Sequence, residues 1–471
     1  MAALDDDEAW QLTAAARLLE AEADRRLGEV ASAQATLDQV IAAARHRADA
    51  RVLAQAAQER CLAIAGVGFA FGTVDLDLLE LLDEALGLVP DDRAADRTSL
   101  LAWSSIARNS TADKPQQRSL AERAVAGARE QPARPDLLAL ALLAERLAHA
   151  TPDGLERRLE VGPEMGAAAA AAGWSDLIVV GMVLDVVDLL ESGDATAARS
   201  RIEDLESYIV PFGRPLYDAY HLFLAAAVAQ MEGRHADAEA LSAEANDLGE
   251  TSHADNARHA RAGQLFVLAR DLGTVGELKP LTGAMVAEYP TMSVWLTGHA
   301  TACAAAGDLT AARAACEQVF APGVLEAVDS TWTTSLAQLA EVCWMLEEPA
   351  WCARLAELLE PLADRMAVTG MGAVCLGSLQ RPLALARDGA GDLEGAISAI
   401  DRAVAVSEGQ GIDLWLARSL AERSLLLERR GAPGDAERAE ADGVRAHVLA
   451  ERLGIRLALG PDEHPAPRRS P

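Results

Sequence analysis

The chain has 471 residues, 51% hydrophobic but only 4% aromatic, so its apolar content is chiefly Ala and Leu. Both are strong helix formers, whereas the aromatic and β-branched residues that build sheets are comparatively few. With 42 basic and 72 acidic residues the net charge is −30, which disfavours phosphate backbones and anionic membrane surfaces as ligands.

In chain order, the opening Met1-Ala2-Ala3-Leu4-Asp5-Asp6-Asp7 lacks the basic and apolar regions of a signal peptide. The longest apolar run, from Leu177 to Leu190, contains Asp185 and Asp188 and is too short to span a bilayer. A cytoplasmic location is expected. From there the sequence is organised by one recurring turn, in which Gly precedes a polar residue and an Ala-rich amphipathic stretch. Gly193-Asp194, Gly233-Arg234, Gly307-Asp308, Gly391-Asp392 and Gly434-Asp435 show it most clearly. Gly28, Gly72, Asp113, Asp153, Gly273 and Glu347 extend the series to eleven positions with a mean step of about 40 residues.

Each position fits the tight link inside a helical hairpin. Glycine takes the left-handed backbone that ends the first helix, and the following Asp caps the second. After Gly391 the apolar residues Leu393, Ala396, Ile397, Ile400 and Val404 fall on one helical face. The expected fold is all-α: a right-handed superhelical solenoid of about eleven helical hairpins over residues 1–460, with a concave inner surface. The half 1–210 is more divergent, and 211–460 is the half with the clearest resemblance to a known family. Longer connections are expected at Thr151–Gly154, Pro211–Pro215 and Ala321–Gly323, and a disordered tail over Pro461–Pro471.

The stretch from Arg214 to Gly431 carries a resemblance. It reads RPLYDAYHLFLAAAVAQMEGRHADAEALSAEA, then AGQLFVLARDLGTVGELKPLTGAMVAEYPTMSVW, DSTWTTSLAQLAEVCWMLEEPAWCARLAELLEPLADR and GMGAVCLGSLQRPLA. These segments resemble the tetratricopeptide-like (MalT-like) region of large bacterial ATP-dependent LuxR-type regulators and of ATPases fused to cyclase or kinase domains. In that family the repeats are a sensor and interaction arm beside a P-loop ATPase and an output domain. This chain has no G-x-x-x-x-G-K-[ST], and a proline-rich tail stands where a DNA-binding helix pair would lie. The resemblance therefore implies the sensor arm alone, standing free or cut from a larger machine, with a separate ATPase or output domain among its candidate partners.

No Ser-His-Asp, Cys-His or nucleophile-elbow pattern can be picked out, and no catalytic residue is expected. Gly66-x-Gly68 followed by Gly72 has the wrong spacing for a dinucleotide loop and reads as a helix end. His253, Asp255 and His259 are too far apart to share a helix face and read as solvated loop residues, so no metal site is expected. The six cysteines form no CxxC and are expected to be reduced and buried. Tyr217, Tyr220 and His221 share a helix face with Arg214 nearby, as a pocket lining or as an inter-repeat core. Trp295, Trp332 and Trp415 belong to a group of tryptophans suited to interfaces or to filling an Ala-rich stack. The candidate binding residues are Arg214, Tyr217, Tyr220, His221, Gln264, Trp295, Asp329, Trp332 and Trp415.

The function expected is non-enzymatic: a regulatory, sensor or scaffold module gripping a protein segment or a small effector in its groove, with no cofactor. A helical-repeat enzyme or ligand-binding protein with a pocket near Tyr217, Tyr220 and His221, and a self-assembling structural solenoid, are the alternatives. Homodimerisation is compatible with any of these.

Overall fold

The computed structural model describes residues 6–63, 73–290, 292–326, 328–370 and 372–457, the side chains of 250–255 excepted. Gly66, Gly68, Gly72 and the Pro461–Pro471 tail lie outside the described residues. Among the described residues the chain is all-α apart from one β-hairpin, and it falls into two compact units. One unit takes in Met1–Met182, Arg214–Leu216 and Leu248–Ala257; the other comprises Val183–Gly213, Tyr217–Asp247 and Arg258–Pro471.

The first unit is a series of antiparallel helices: α1 (Asp6–Leu27), α2 (Val30–Arg47), α3 (Ala50–Leu62), α4 (Leu76–Leu88), α5 (Ala94–Ala107), α6 (Lys114–Arg129), α7 (Pro135–Ala148) and α8 (Leu155–Ala172). The first half of α9 (Ser175–Glu191) completes it. Gly28, with φ 85°, turns α1 into α2, and Asp113 caps α6 by accepting from the Gln116 amide at 3.0 Å. The expected connection at Thr151–Gly154 is a 3-10 turn over Pro152–Gly154.

The second unit continues through α10 (Ala195–Ile209), α11 (Pro215–Met231), α12 (His235–Leu272), α13 (Lys279–Glu288), α14 (Ser293–Ala305), α15 (Leu309–Val319), α16 (Trp332–Met345) and α17 (Pro349–Leu359). The strands β1 (Met366–Thr369) and β2 (Val374–Ser378) follow, then α18 (Gln380–Gly389), α19 (Leu393–Gln410), α20 (Asp413–Arg430) and α21 (Asp435–Leu453). The predicted turn glycines 193, 233, 273, 307, 391 and 434 all have positive φ. Glu347, where the series departs from glycine, keeps the same left-handed backbone at φ 54°. Asp194, Asp308 and Asp392 cap the helices that follow them at 2.9, 3.0 and 2.9 Å. Arg234 caps nothing with its side chain, and Asp435 lies inside α21, paired with Arg430 at 2.7 Å.

Adjacent hairpins are joined by polar side-chain links one repeat apart. Trp10 donates to Asp49 (2.9 Å), Ser99 to Gln58 (2.9 Å), Gln264 to the Phe223 carbonyl (2.7 Å), Thr297 to Gln338 (2.6 Å) and Trp344 to Asp388 (2.6 Å). Their sequence separations are 39, 41, 41, 41 and 44 residues. Such nearest-neighbour stacking defines a repeat protein. The helix that opens a hairpin touches neighbours on both sides, which is why every residue of α16 from Trp332 to Cys343 is buried.

Two elements differ from the sequence expectation. The β-hairpin interrupts the all-α pattern between α17 and α18, pairing Met366 with Ser378, Val368 with Cys375 and Thr369 with Val374. Val and Thr supply strand propensity, and Gly370 and Gly372, both at positive φ, allow the turn. Gly377 lies so close to Trp415 that a Cβ there would come within 2.8 Å of the indole. The second difference is α12, which contains the His253–His259 stretch expected to be a loop. Arg261 hydrogen-bonds Glu239, 22 residues earlier, and Gly249 lies against Ala257. A straight helix would place residues 239 and 261 about 33 Å apart. The segment therefore doubles back within 248–257, leaving arms 235–247 and 258–272.

The second unit closes on itself. Gln410 at the end of α19 donates to the Gly193 carbonyl and accepts from the Ala195 amide at 3.2 Å. Arg365 pairs with Glu191 at 3.2 Å, and the Arg456 amide donates to the Asp271 carbonyl at 2.8 Å. Leu453 lies against Gly233.

Candidate functional site

Where α12 doubles back beside α11, under the end of the β-hairpin, a narrow cleft remains. Ala226, Ala227 and Gln230 of α11, Ala238, Glu239 and Ser242 of the first α12 arm, and Arg261, Gln264, Leu265, Val267 and Leu268 of the second arm line it, with Ala373 and Val374 of the hairpin. The small alanines open the space and five polar side chains, Gln230, Glu239, Ser242, Arg261 and Gln264, give it chemistry. The Gln264 amide nitrogen is spent on the Phe223 carbonyl, while its Oε1 has no partner among the described residues. Ser242 Oγ is likewise unpartnered and buried. Arg261 reaches across to Glu239, its Nη2 3.2 Å from Oε1. The lining thus offers an amide acceptor, a hydroxyl and an arginine–carboxylate pair.

Gln230 connects this cleft to a buried ion cluster. Its amide donates to Asp271, which also accepts from Arg418 of α20 at 2.9 Å. Next to Asp271, Arg270 makes a fork to Glu341 of α16 at 2.6 and 2.8 Å. Arg381 of α18 bonds both Glu341 and Glu422 of α20. Three arginines thus meet three carboxylates, all but Glu422 less than 9% exposed. Burial would raise the Glu341 pKa, but Arg270, Arg381 and Arg418 outweigh it and hold the carboxyl at about 2. Glu422 goes the other way: burial raises it, against the pull of Arg381. Burial lowers Arg418, and neighbouring Arg270 adds to that. Replacing any one member would strand a charge in a dry interior. Through these residues α12, α16, α18 and α20 are tied to one another.

The candidate residues read from the sequence are spread over separate places. Arg214 pairs with Asp176 at 2.7 Å. Tyr217 is buried with its ring edge-on to Phe212, centroids 5.8 Å apart. His221 is half-buried, its Nε2 3.9 Å from Glu206, and burial lowers its pKa despite that carboxylate. Tyr220 is half-buried on the same helix. Gln264 alone lines the cleft. Trp295 is buried and donates to His259 Nδ1 at 3.3 Å, and the Tyr289 ring also packs edge-on to that imidazole, centroids 4.2 Å apart. Asp329 accepts from the Thr331 amide and hydroxyl, both at 2.7 Å, ahead of α16. Trp332 is buried and donates to the Leu325 carbonyl at 2.8 Å, and Trp415 is buried against Gly377. The tryptophans Trp295, Trp332 and Trp415 thus fill the stack and present no open face.

The spacing of buried charge would have disclosed the cluster. Gln230 and Asp271 are 41 residues apart, Glu341 and Arg381 are 40, and Arg381 and Glu422 are 41. One Cys-His pair was also legible by spacing. His299 and Cys303 stand at i and i+4 on α14, with Sγ 3.5 Å from Nε2, and His299 Nδ1 is 3.0 Å from the Thr282 hydroxyl. Burial raises the thiol and lowers the imidazole, so the pair is neutral and the cysteine is not an activated nucleophile. All six cysteines are buried. Among the described residues no group of three potential ligands could hold a metal ion, and no helix is long and apolar enough to cross a membrane.

The class of protein that the fold defines is an all-α helical-repeat protein. No family model and no curated protein sequence matches the chain. A solved structure described as Naa15/Naa10 bound to HypK-THB aligns with 94% of this chain and 73% of that chain at 13% identity, with a TM-score of 0.20. A circular tandem repeat protein with novel repeat topology aligns with 94% and 96% at 16% identity and a TM-score of 0.12. Superpositions of that quality transfer neither a site nor a partner.

Proposed function

We propose that the chain is a non-catalytic sensor or scaffold module, in which a small polar effector enters the α11–α12 cleft and is sensed through the ion cluster. The observation that carries this reading is the double role of Gln230, which lines the cleft and donates to Asp271. Asp271 in turn holds Arg418, 147 residues away on α20. An effector that competes for the Gln230 amide would change the balance of the cluster and hence the docking of α20 on α12. The cleft as it stands has room for about one water-sized group (10 Å³), so an amino acid or hydroxy acid would enter by displacing Glu239 from Arg261, its carboxylate taking that place and an N–H or O–H donor meeting Gln264 Oε1. The sensor arm implied by the resemblance to MalT-like regulators is the same role. A net charge of −30 suits an output partner with a basic surface.

Thermal-shift measurements over a panel of amino acids and hydroxy acids test the effector. At least one should raise the melting temperature of the native chain and lose that effect in both Arg261→Ala and Gln264→Leu. Stabilisation that survives both substitutions, or a panel with no stabilising member, would count against the cleft.

A further inference from the structure

The outward face of α1 is apolar along its length. Leu12 is 59% exposed and Leu19 64%, and Ala15, Ala16 and Ala23 on the same side are also exposed. The opposite face is satisfied within the unit: Ala14 and Ala21 are buried, and Trp10 and Gln11 both donate to Asp49 at the start of α3. A solvent-facing helix surface is ordinarily polar. This one carries a leucine–alanine seam.

The seam reads the same in both directions about a point between Ala15 and Ala16. Turned end for end, Leu12 meets Leu19, Ala15 meets Ala16, and the small residues at the centre let two helix backbones approach. Charge adds to this at the two ends of the seam, where Glu8 and Arg26 share the side of Leu12, Ala15 and Leu19, Arg26 also pairing with Glu22 at 2.6 Å, whereas Arg25 turns inward to Glu59. Asp6, Asp7 and Glu8 occupy the first turn, and Arg25 and Arg26 the last. Antiparallel pairing sets the acidic end of one helix beside the basic end of the other and opposes the two helix dipoles. Parallel pairing would set like charges together. Self-complementarity of this kind is the requirement for an isologous two-fold contact. We propose that the α1 face docks on the α1 face of a second copy of this chain, antiparallel, with the two-fold axis passing between Ala15 and Ala16.

The test uses the full chain. Light scattering coupled to size exclusion, at tens of micromolar, should give twice the mass of the chain. The Leu12→Glu/Leu19→Glu variant should run as a monomer with an unchanged melting curve, because neither leucine contributes to the core. A monomeric native chain, or a dimer that persists in the variant, overturns the proposal. Orientation is read by disulfide trapping, to which the six buried native cysteines should contribute nothing. Ala23→Cys mixed with Glu8→Cys should form a mixed dimer, while Ala23→Cys alone should not cross-link. Cross-linking of Ala23→Cys to itself would indicate a parallel pair and overturn the antiparallel contact.

Discussion

At the residue scale, Glu341 and Glu422 share Arg381 but should respond to acid in opposite senses. The Glu341 pKa of about 2 lies below the ordinary 4.5, so the folded chain binds fewer protons than the unfolded one between those values. The stability it contributes is complete above the ordinary value and disappears as the pH falls through about 2. Glu341→Gln should cost about 3–5 kcal/mol near neutral pH, since it leaves two buried guanidinium groups short of a carboxylate. It should also flatten the acid limb of the stability curve. Glu422 has a raised pKa, so its ionised form is the disfavoured one in the fold. Glu422→Gln should therefore cost clearly less. Denaturant titrations across pH 2 to 7 measure both; equal losses would contradict the asymmetry. None of these charges was singled out in the sequence, because one acidic or basic residue among 114 resembles the rest until a repeat step is laid over it.

At the element scale, the hairpin turns separate backbone geometry from side-chain contact. Gly391 has φ 92°, and a Cβ added there would have nothing within 4 Å, so Gly391→Ala meets no steric neighbour and acts through the left-handed backbone alone. It should lower stability by about 1–2 kcal/mol. Glu347 holds the same backbone without being glycine, and Glu347→Gly should raise stability by about 1 kcal/mol. A thermal melt of each variant checks the pair of signs. Asp392→Ala, which removes the cap on the Gly395 amide, should cost about 1 kcal/mol. These turns were legible because glycine and Asp leave a local signature. The reversal of α12 was not, since Gly249 is the single glycine within 248–257, no proline stands there, and its meaning depends on Arg261 meeting Glu239 across 22 residues. The β-hairpin was concealed by its brevity: two strands of four and five residues do not shift a composition dominated by helix formers.

At the scale of the whole molecule, the 40-residue period foretold hairpins in series but not what their inner faces meet. In the second unit α12, α16, α18 and α20 are tied together by buried charge, and the cleft beside Gln230 borders that cluster. Of the residues proposed for binding from sequence, Gln264 is the one that lines it. The tryptophans were misleading because an Ala-rich stack leaves voids that large aromatic side chains fill, with Gly377 cut back to receive Trp415.

The coupling from cleft to α20 is tested most directly by native-state hydrogen exchange on Gln230→Met, which keeps the side-chain volume and removes the donor to Asp271. Faster exchange is expected in α20 around Arg418 as well as in α11 and the second arm of α12. Loss of protection confined to α11 and its immediate contacts, with α20 unchanged, would contradict the coupling.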